Sequence, residues 1–221
     1  MSKLNLALAA VLAGAVAFAP MTAPLAQTKG RAAAARATLS AADKALVDRA
    51  AAYLQGLGSA KGDFVQTDAR GRVTRGTFYL QRPGKARFEY AAPSGLLIVS
   101  DGHNVNVHDR RLKTFDRYPL GATPLSLFLA REIRLDRGVV VDRVVRNADG
   151  FQIHARDGKR QADGAIVMTF AGSPLRLTEW TITDTRGGRT RVQLTSFAET
   201  SGLSPDLFVL RDPNRRTRER S

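Results

Sequence analysis

The sequence predicts a mainly β protein with some helix, built on a single curved antiparallel sheet or barrel. Between residues 62 and 198, short segments alternate apolar and polar side chains, which is the period of a β-strand. Turn residues such as Pro83-Gly84 and Asp101-Gly102 separate most of these segments, so consecutive strands are expected to pair as antiparallel neighbours. The chain of 221 residues is long enough to bury one sizeable core.

The alternation predicts eleven strands, each with one apolar and one polar face. In the segment around Phe88, for example, Ala86 and Tyr90 share the apolar face, while Arg87 and Glu89 lie on the other. The predicted strands span 62–69, 73–82, 85–91, 96–101, 103–109, 111–117, 139–147, 150–156, 165–171, 175–184 and 189–198.

Two helices are expected beside the sheet. The first begins near Ser40, with Asp43 placed as a capping partner, and Gly56 marks its end. The second is a short apolar helix that follows Thr123-Pro124, because proline is well tolerated in a first helical turn.

Composition excludes several classes of protein. The chain contains no cysteine, so it has no disulfide framework, zinc–thiolate site, thiol nucleophile or lipidated cysteine of its own. Its 34 Lys and Arg residues outnumber 20 Asp and Glu residues and give a formal charge of +14, a balance that invites a nucleic-acid interpretation. The arginines cluster at predicted turns and strand ends, however, without the interleaved aromatic residues of a nucleic-acid surface. The clusters are Arg70, Arg72 and Arg75; Arg110, Arg111 and Lys113; Arg131, Arg134 and Arg137; and Arg186, Arg189 and Arg191. They form either a basic rim or a general solubility feature.

Residues 1–26 are predicted to be a cleaved secretory signal peptide. Lys3 precedes an uncharged run over 4–19, and small residues lead to a cleavage site after Ala26 or, alternatively, Ala23. A membrane anchor is the other interpretation, but the run is shorter than the roughly 20 residues that span a bilayer. We therefore expect a periplasmic protein that does not bind nucleic acid. The predicted organisation is a signal peptide (1–26), a flexible basic leader (27–38), a single domain (39–210) and a basic C-terminal tail (211–221).

A series of short motifs in a fixed order carries a family resemblance. They are Phe64 and Gln66, Gly76, Leu80-Gln81-Arg82-Pro83, Arg87-Phe88-Glu89-Tyr90, Pro93 and Leu97-Ile98-Val99-Ser100-Asp101-Gly102, followed downstream by Thr123-Pro124, Leu129 and Trp180. Over residues 40–210 the chain resembles the LolA family, periplasmic carriers of lipoproteins to the outer membrane. Three positions depart from the family pattern, namely Ala86, Asn106 and His108.

The resemblance implies an incomplete (unclosed) antiparallel β-barrel of about 11 strands, covered by a short helical lid. It implies a periplasmic chaperone that binds the acyl chains of lipoproteins in an apolar cavity. The expected partners are acylated lipoproteins, an inner-membrane LolCDE-type ATP-binding-cassette complex, and an outer-membrane receptor of LolB type or direct membrane delivery. We expect a monomer without a cofactor. The alternative is a lipid- or lipoprotein-sensing regulatory binding module on a similar barrel.

Candidate site residues follow from the strand faces together with the resemblance. Each residue expected to line the acyl-chain cavity has ordinary core packing as its alternative: Phe64, Phe78, Leu80, Phe88, Tyr90, Leu97, Val99, Leu125, Phe128, Leu129 and Trp180. Arg82 shares the face of Phe78 and Leu80 and is expected to point inward, where its guanidinium needs acceptors such as backbone carbonyls at a helix end. The resemblance implies that Arg82 contacts the lid. Its alternative is a solvated arginine at a strand end.

No catalytic or metal site is predicted. His103 and His108 are five residues apart, which places them on opposite faces of a straight strand. The sequence has neither a phosphate-binding glycine loop nor a nucleophile elbow. We therefore expect a binding protein and not an enzyme.

Overall fold

The computed structural model describes residues 39–135, 139–157 and 164–213. The predicted signal peptide, the basic leader and residues 214–221 of the predicted tail lie outside the described residues. No helix in the described part of the chain is both long and apolar enough to cross a membrane.

One antiparallel sheet organises the described residues. Its strands, numbered β1 to β12 along the chain, are Ser59–Thr67, Val73–Gln81, Lys85–Tyr90, Leu96–Asp101, Asn104–Asp109, Thr114–Pro119, Val139–Arg146, Gly150–Asp157, Ala165–Ala171, Arg176–Thr183, Arg189–Leu194 and Ala198–Glu199. The order across the sheet is β6-β5-β4-β3-β2-β1-β11-β10-β9-β8-β7, and β12 pairs with β1. Because β6 and β7 form the two ends of this order, the barrel is unclosed. The predicted fold class is confirmed.

The strand boundaries differ from the prediction where the backbone turns. β6 begins at Thr114 because Lys113 has a φ of 55° and Asp109 accepts a hydrogen bond from the Leu112 amide (2.8 Å). After Leu194 the amides of Thr195 and Ser196 both donate to the Asp63 carbonyl, at 2.9 and 3.4 Å, which interrupts the regular pairing with β1 and ends β11. The chain then makes the two-residue strand β12, which the sequence did not predict.

Helix α1 (Ala41–Gly56) begins where its cap was predicted. The Ser40 hydroxyl oxygen accepts a hydrogen bond from the Asp43 amide at 3.0 Å and donates to the Asp43 carboxylate at 2.7 Å. Val47, Ala50 and Leu54 form the buried face of the helix. α1 lies against the edge strand β7.

The pairing register defines an inner face of the sheet. One continuous row crosses five strands through Gly62, Phe78, Phe88, Ile98 and Val107. Since directly paired residues of an antiparallel sheet project to the same side, this row marks the inner wall of the barrel. The residues between them, such as Arg87 and Val99, project to the outer face.

A C-terminal segment, residues 200–210, crosses the outer face, and we call it the strap. It contains a 3-10 helix, Pro205–Phe208, which packs against β3 and β4. Phe208 is 2% exposed, the Lys85 ammonium lies 6.0 Å from its ring centroid, and Arg87 donates to the Leu207 carbonyl at 3.3 Å. The strap seals the outer face of these strands with apolar packing.

Candidate functional site

The inner face encloses an apolar cavity with two adjoining parts. The α1-side part measures about 570 Å³ of non-atom space, counting its open margin, and the turn-side part about 510 Å³. Four side chains line both parts and therefore stand between them: Phe88, Leu125, Phe128 and Trp180.

The residues of the two parts come from different elements. The α1-side part is lined by Tyr53, Leu54, Leu57, Phe78, Tyr79, Leu80, Ala86, Leu129, Leu177, Leu194 and Phe197 in addition to the shared four. The turn-side part adds Phe64, Gln66, Tyr90, Ile98, Pro124, Ile182, Thr190 and Val192 to the shared four.

Aromatic contacts form the partition between the two parts. Trp180 lies 5.4 Å from Phe128 and 6.3 Å from Phe88, measured between ring centroids. Phe88 in turn contacts Phe64 at 5.6 Å in an edge-to-face arrangement. Such contacts add about 0.5–1.5 kcal/mol each beyond the burial of area, and each involves a side chain that still borders open space.

A lid segment, residues 120–133, covers this partition. It contains a 3-10 turn at Leu120–Ala122 and the short helix α2 (Ser126–Leu129). The sequence placed Pro124 in the first helical turn; the structure has Leu125 as the N-cap of α2. Leu125 and Phe128 project onto both parts of the cavity, and Leu129 is buried at 1% exposure.

Arg82 joins the C-terminal ends of two helices. Its guanidinium donates through Nη1 to the Leu54 carbonyl of α1 and through Nη2 to the Ala130 carbonyl of the lid segment, the latter at 2.6 Å. Carbonyls at a helix C-terminus have no partner within the helix and carry partial negative charge, so they suit a cation. Burial lowers the pKa of Arg82 from its ordinary value, yet an arginine remains charged at neutral pH.

Other polar bonds hold the same end of the lid segment. The Gln55 side chain donates to the Arg131 carbonyl at 3.1 Å and accepts from the Ile133 amide at 2.8 Å. The Gly84 amide donates to the Leu129 carbonyl at 2.8 Å. The lid is thus tied to α1 and to the β2–β3 turn by directional hydrogen bonds, while its inward side chains face the cavity.

Nine of the eleven residues predicted to line the cavity do lie on its wall. Leu97 and Val99 do not: they project from the opposite face of β4, where they pair with Glu89 and Arg87 and are buried at 3% and 0% exposure. All five residues from Leu96 to Ser100 are buried, so β4 has no polar face from which the inward side could be identified. Ile98 is the residue of β4 that lines the cavity.

Sequence reasoning also missed wall residues on later strands. Ile182, Val192 and Leu194 line the cavity, and the register places Val192 opposite Trp180. Extending the alternation from Trp180 along β10 and β11 would have identified them. Gln66 and Thr190 are polar residues of the wall, and an apolar pattern cannot indicate such positions.

In the described part of the chain, no three His, Cys, Asp or Glu side chains are grouped so that they could hold a metal ion.

Several arginines of the predicted rim form ion pairs with acidic residues, for example Arg72 with Asp68 at 2.7 Å and Arg191 with Glu179 at 2.5 Å. Since β1 pairs with both β2 and β11, the β1–β2 turn and the β10–β11 turn lie at one end of the sheet. Arg137 of the predicted rim lies outside the described residues.

Comparison with known proteins shows the family to which the chain belongs. The family model described as outer membrane lipoprotein carrier protein LolA matches residues 55–211. The chain belongs to the LolA family.

Members of the LolA family with curated names are similar over most of their length. An outer-membrane lipoprotein carrier protein of Chromobacterium violaceum is 29% identical over 171 residues, which cover 73% of this chain and 81% of that protein. One of Xanthomonas campestris is 30% identical over 166 residues, covering 71% and 79%. A solved LolA superfamily protein of Nitrosomonas europaea has a TM-score of 0.45 and 10% identity, over 76% of this chain and 97% of that one.

The motifs that suggested the LolA family form the turns that support the lid. Gly84, with a φ of 81°, lies in the β2–β3 turn, and its carbonyl accepts a hydrogen bond from the buried Ser100 hydroxyl at 2.6 Å. Asp101 accepts from the amides of His103 and Asn104 at 2.9 and 2.8 Å. The two turns therefore support each other beneath the residues that tie the lid.

Proposed function

We propose that this protein is a periplasmic carrier that shields the acyl chains of lipoproteins from water between the inner and the outer membrane. The observation that carries the proposal is an apolar cavity covered by a lid that polar bonds hold at one end. The names of its relatives, outer-membrane lipoprotein carrier proteins, support the same function. It would receive cargo from a LolCDE-type complex and deliver it, as a monomer, to a LolB-type receptor or directly to the membrane.

The free energy that a carrier of acyl chains must offset is large. Each CH₂ kept out of water is worth about 0.8 kcal/mol, so several acyl chains represent tens of kcal/mol of unfavourable exposure. The two parts reach about 570 and 510 Å³ of non-atom space only when the open solvent at their margins is counted, so the enclosed space is much smaller. A multiply acylated ligand would therefore load with movement of the lid and of the unclosed sheet.

The lid is suited to that movement because a ligand could replace its apolar contacts, whereas its hydrogen bonds form only when it is closed. Leu125 and Phe128 border open space on both cavity parts, so acyl chains could replace their packing at little cost. The bonds from Arg82 hold the lid in its closed arrangement and would be given up on loading. Re-forming them on closure would favour release of cargo.

Purification from periplasm, followed by mass spectrometry of bound material, tests the proposal. We expect acylated lipoproteins with the unsubstituted protein and their loss with Leu125→Glu, which places a charge against the cavity. Leu112→Glu, at an exposed turn position, is the matched control and should retain them. A single non-lipidated partner protein with no acylated material would instead support the regulatory module and contradict the carrier.

A further inference from the structure

Three polar side chains lie in the wall of the otherwise apolar turn-side cavity. Gln66 of β1, Tyr90 of β3 and Thr190 of β11 are 6%, 7% and 8% exposed, and all three line this part. A buried polar group that lacks a hydrogen bond costs about 1–3 kcal/mol. A chain that only needed an apolar wall would be more stable with apolar residues at these positions.

Gly76 allows Tyr90 to reach Gln66. On the inner face, Tyr90 pairs with Gly76, which in turn pairs with Phe64. A Cβ at Gly76 would meet the Phe64 ring at 2.8 Å. Without one, the Tyr90 ring contacts Phe64 at a centroid distance of 5.0 Å and crosses β2.

The Tyr90 hydroxyl fixes the orientation of the Gln66 amide. It donates to Gln66 Oε1 at 2.7 Å. Full burial raises the pKa of Tyr90, so the phenol keeps its proton at neutral pH and remains the donor. With its oxygen engaged, Gln66 presents its NH₂ group as the free end.

The Thr190 hydroxyl adds a second hydrogen-bond donor beside the Gln66 amide. Gln66 pairs with Val192 on β11, and Thr190 is two residues from Val192 on the same face, so Gln66 and Thr190 are diagonal neighbours, within reach of long side chains. Within the described residues, neither the Gln66 amide nitrogen nor the Thr190 hydroxyl has a side-chain hydrogen-bond partner. Both residues line the turn-side part of the cavity, so a ligand there could accept hydrogen bonds from them.

We propose that Gln66 and Thr190 form a subsite that donates hydrogen bonds to an ester carbonyl at the head of a bound acyl chain. An ester brings acceptors and no donor, which matches two donors in an apolar wall. An amide would bring an N–H group that needs an acceptor of its own. The subsite rests on the proposed carrier function and gives it a preference for O-acylated ligands.

The position of the subsite predicts the orientation of a bound ligand within the cavity. Gln66 lies one residue from the end of β1, and Thr190 one residue from the start of β11, beside the turns that carry Arg70, Arg72 and Arg186. The α1-side part has an apolar wall apart from two tyrosines. The ester end of the ligand would thus lie near the basic turns and its hydrocarbon end below the lid and α1.

The test compares dioctanoylglycerol with its di-O-octyl ether, two probes that differ in the ester carbonyls. Binding is measured by displacement of a fluorescent apolar dye. An ether is cheaper to desolvate than an ester, so a wall without donors would favour the ether. We expect the unsubstituted protein to bind the ester about two- to tenfold more tightly, the range of one net hydrogen bond.

Gln66→Leu and Thr190→Val should each remove or reverse this preference. Thr74→Val makes the same change as Thr190→Val, opposite Gln66 on β2, and should keep the preference. A retained preference in correctly folded Gln66→Leu and Thr190→Val would overturn the subsite. Equal binding of both probes by the unsubstituted protein would overturn the subsite alone, whereas no binding of either probe would overturn the carrier function as well.

Discussion

Two short segments cover opposite faces of the sheet, and they are built differently. The strap on the outer face inserts Phe208, at 2% exposure, into a sealed apolar contact. The lid segment on the inner face presents Phe128 to open space in both cavity parts. Each is bonded to an arginine through a backbone carbonyl, Arg87 to Leu207 and Arg82 to Ala130. A similar hydrogen bond thus holds a segment over filled space on one face and a segment over a cavity on the other.

Packing, and not the arginine, makes this difference. A cover that closes over filled space can leave only by exposing apolar surface to water. A cover over a cavity exchanges one set of apolar contacts for another when a ligand enters.

The largest expected effect is the loss of stability when the packing of the strap is removed. Phe208→Ala should lower the free energy of unfolding by about 3–5 kcal/mol, the range for truncating a fully buried phenylalanine. Phe128→Ala should cost clearly less, because its ring is only partly buried and borders the cavity, and it should weaken binding of an acyl ligand. Denaturant unfolding and ligand titration of both variants measure the contrast. Equal losses of stability would show that the two covers are packed alike.

Arg82→Leu should retain acyl ligand at least about tenfold more tightly. It removes two charge-assisted bonds that favour the closed lid, and a 1.4 kcal/mol change in that equilibrium is a factor of ten. Arg75→Leu, on the same strand but exposed, is the control. Dissociation rates from stopped-flow displacement report the effect, and unchanged release would remove the lid role of Arg82.

Ser40→Ala should cost about 1 kcal/mol of stability through loss of the α1 cap. Because Gln55 of α1 binds the lid segment directly, and Leu54 is linked to it through Arg82, hydrogen exchange should speed up in residues 120–133 and remain unchanged in the strap. Faster exchange in both covers would indicate a general loosening and contradict the specific link.

The smallest effect concerns pH and the β4–β5 turn. Burial alone would raise the pKa of Asp101, but the hydrogen bonds from Asn104, His103 and Asn106 outweigh it and hold that pKa below the ordinary value. A lowered pKa means that the unfolded chain binds more protons, so the stabilisation is present above about pH 4 and is lost as the pH falls through the folded-state pKa. Asp101→Asn should therefore destabilise the protein more at pH 7 than at pH 2. An equal effect at both pH values would exclude this charge contribution.

Regular alternation allowed most of the fold to be predicted from the sequence, whereas the site was predicted only in part. Phe78, Phe88 and Tyr90 were correctly placed on one face because polar residues separate them. Leu97 and Val99 were misplaced because β4 is buried on both faces, and burial by the strap depends on contacts with residues more than one hundred positions away. Gln66 belonged to the family pattern, but its place in the wall depends on the register of β1 with β3 across Gly76.

The measurement that tests the central claim most directly uses the single tryptophan. Trp180 is the one tryptophan of the chain and borders both parts of the cavity. A diacyl lipid with brominated chains, a contact quencher of indole fluorescence, should quench Trp180 upon binding, while the unbrominated lipid should bind equally without quenching. Full binding of the brominated lipid with unquenched Trp180 fluorescence would contradict an acyl-chain site beneath the lid.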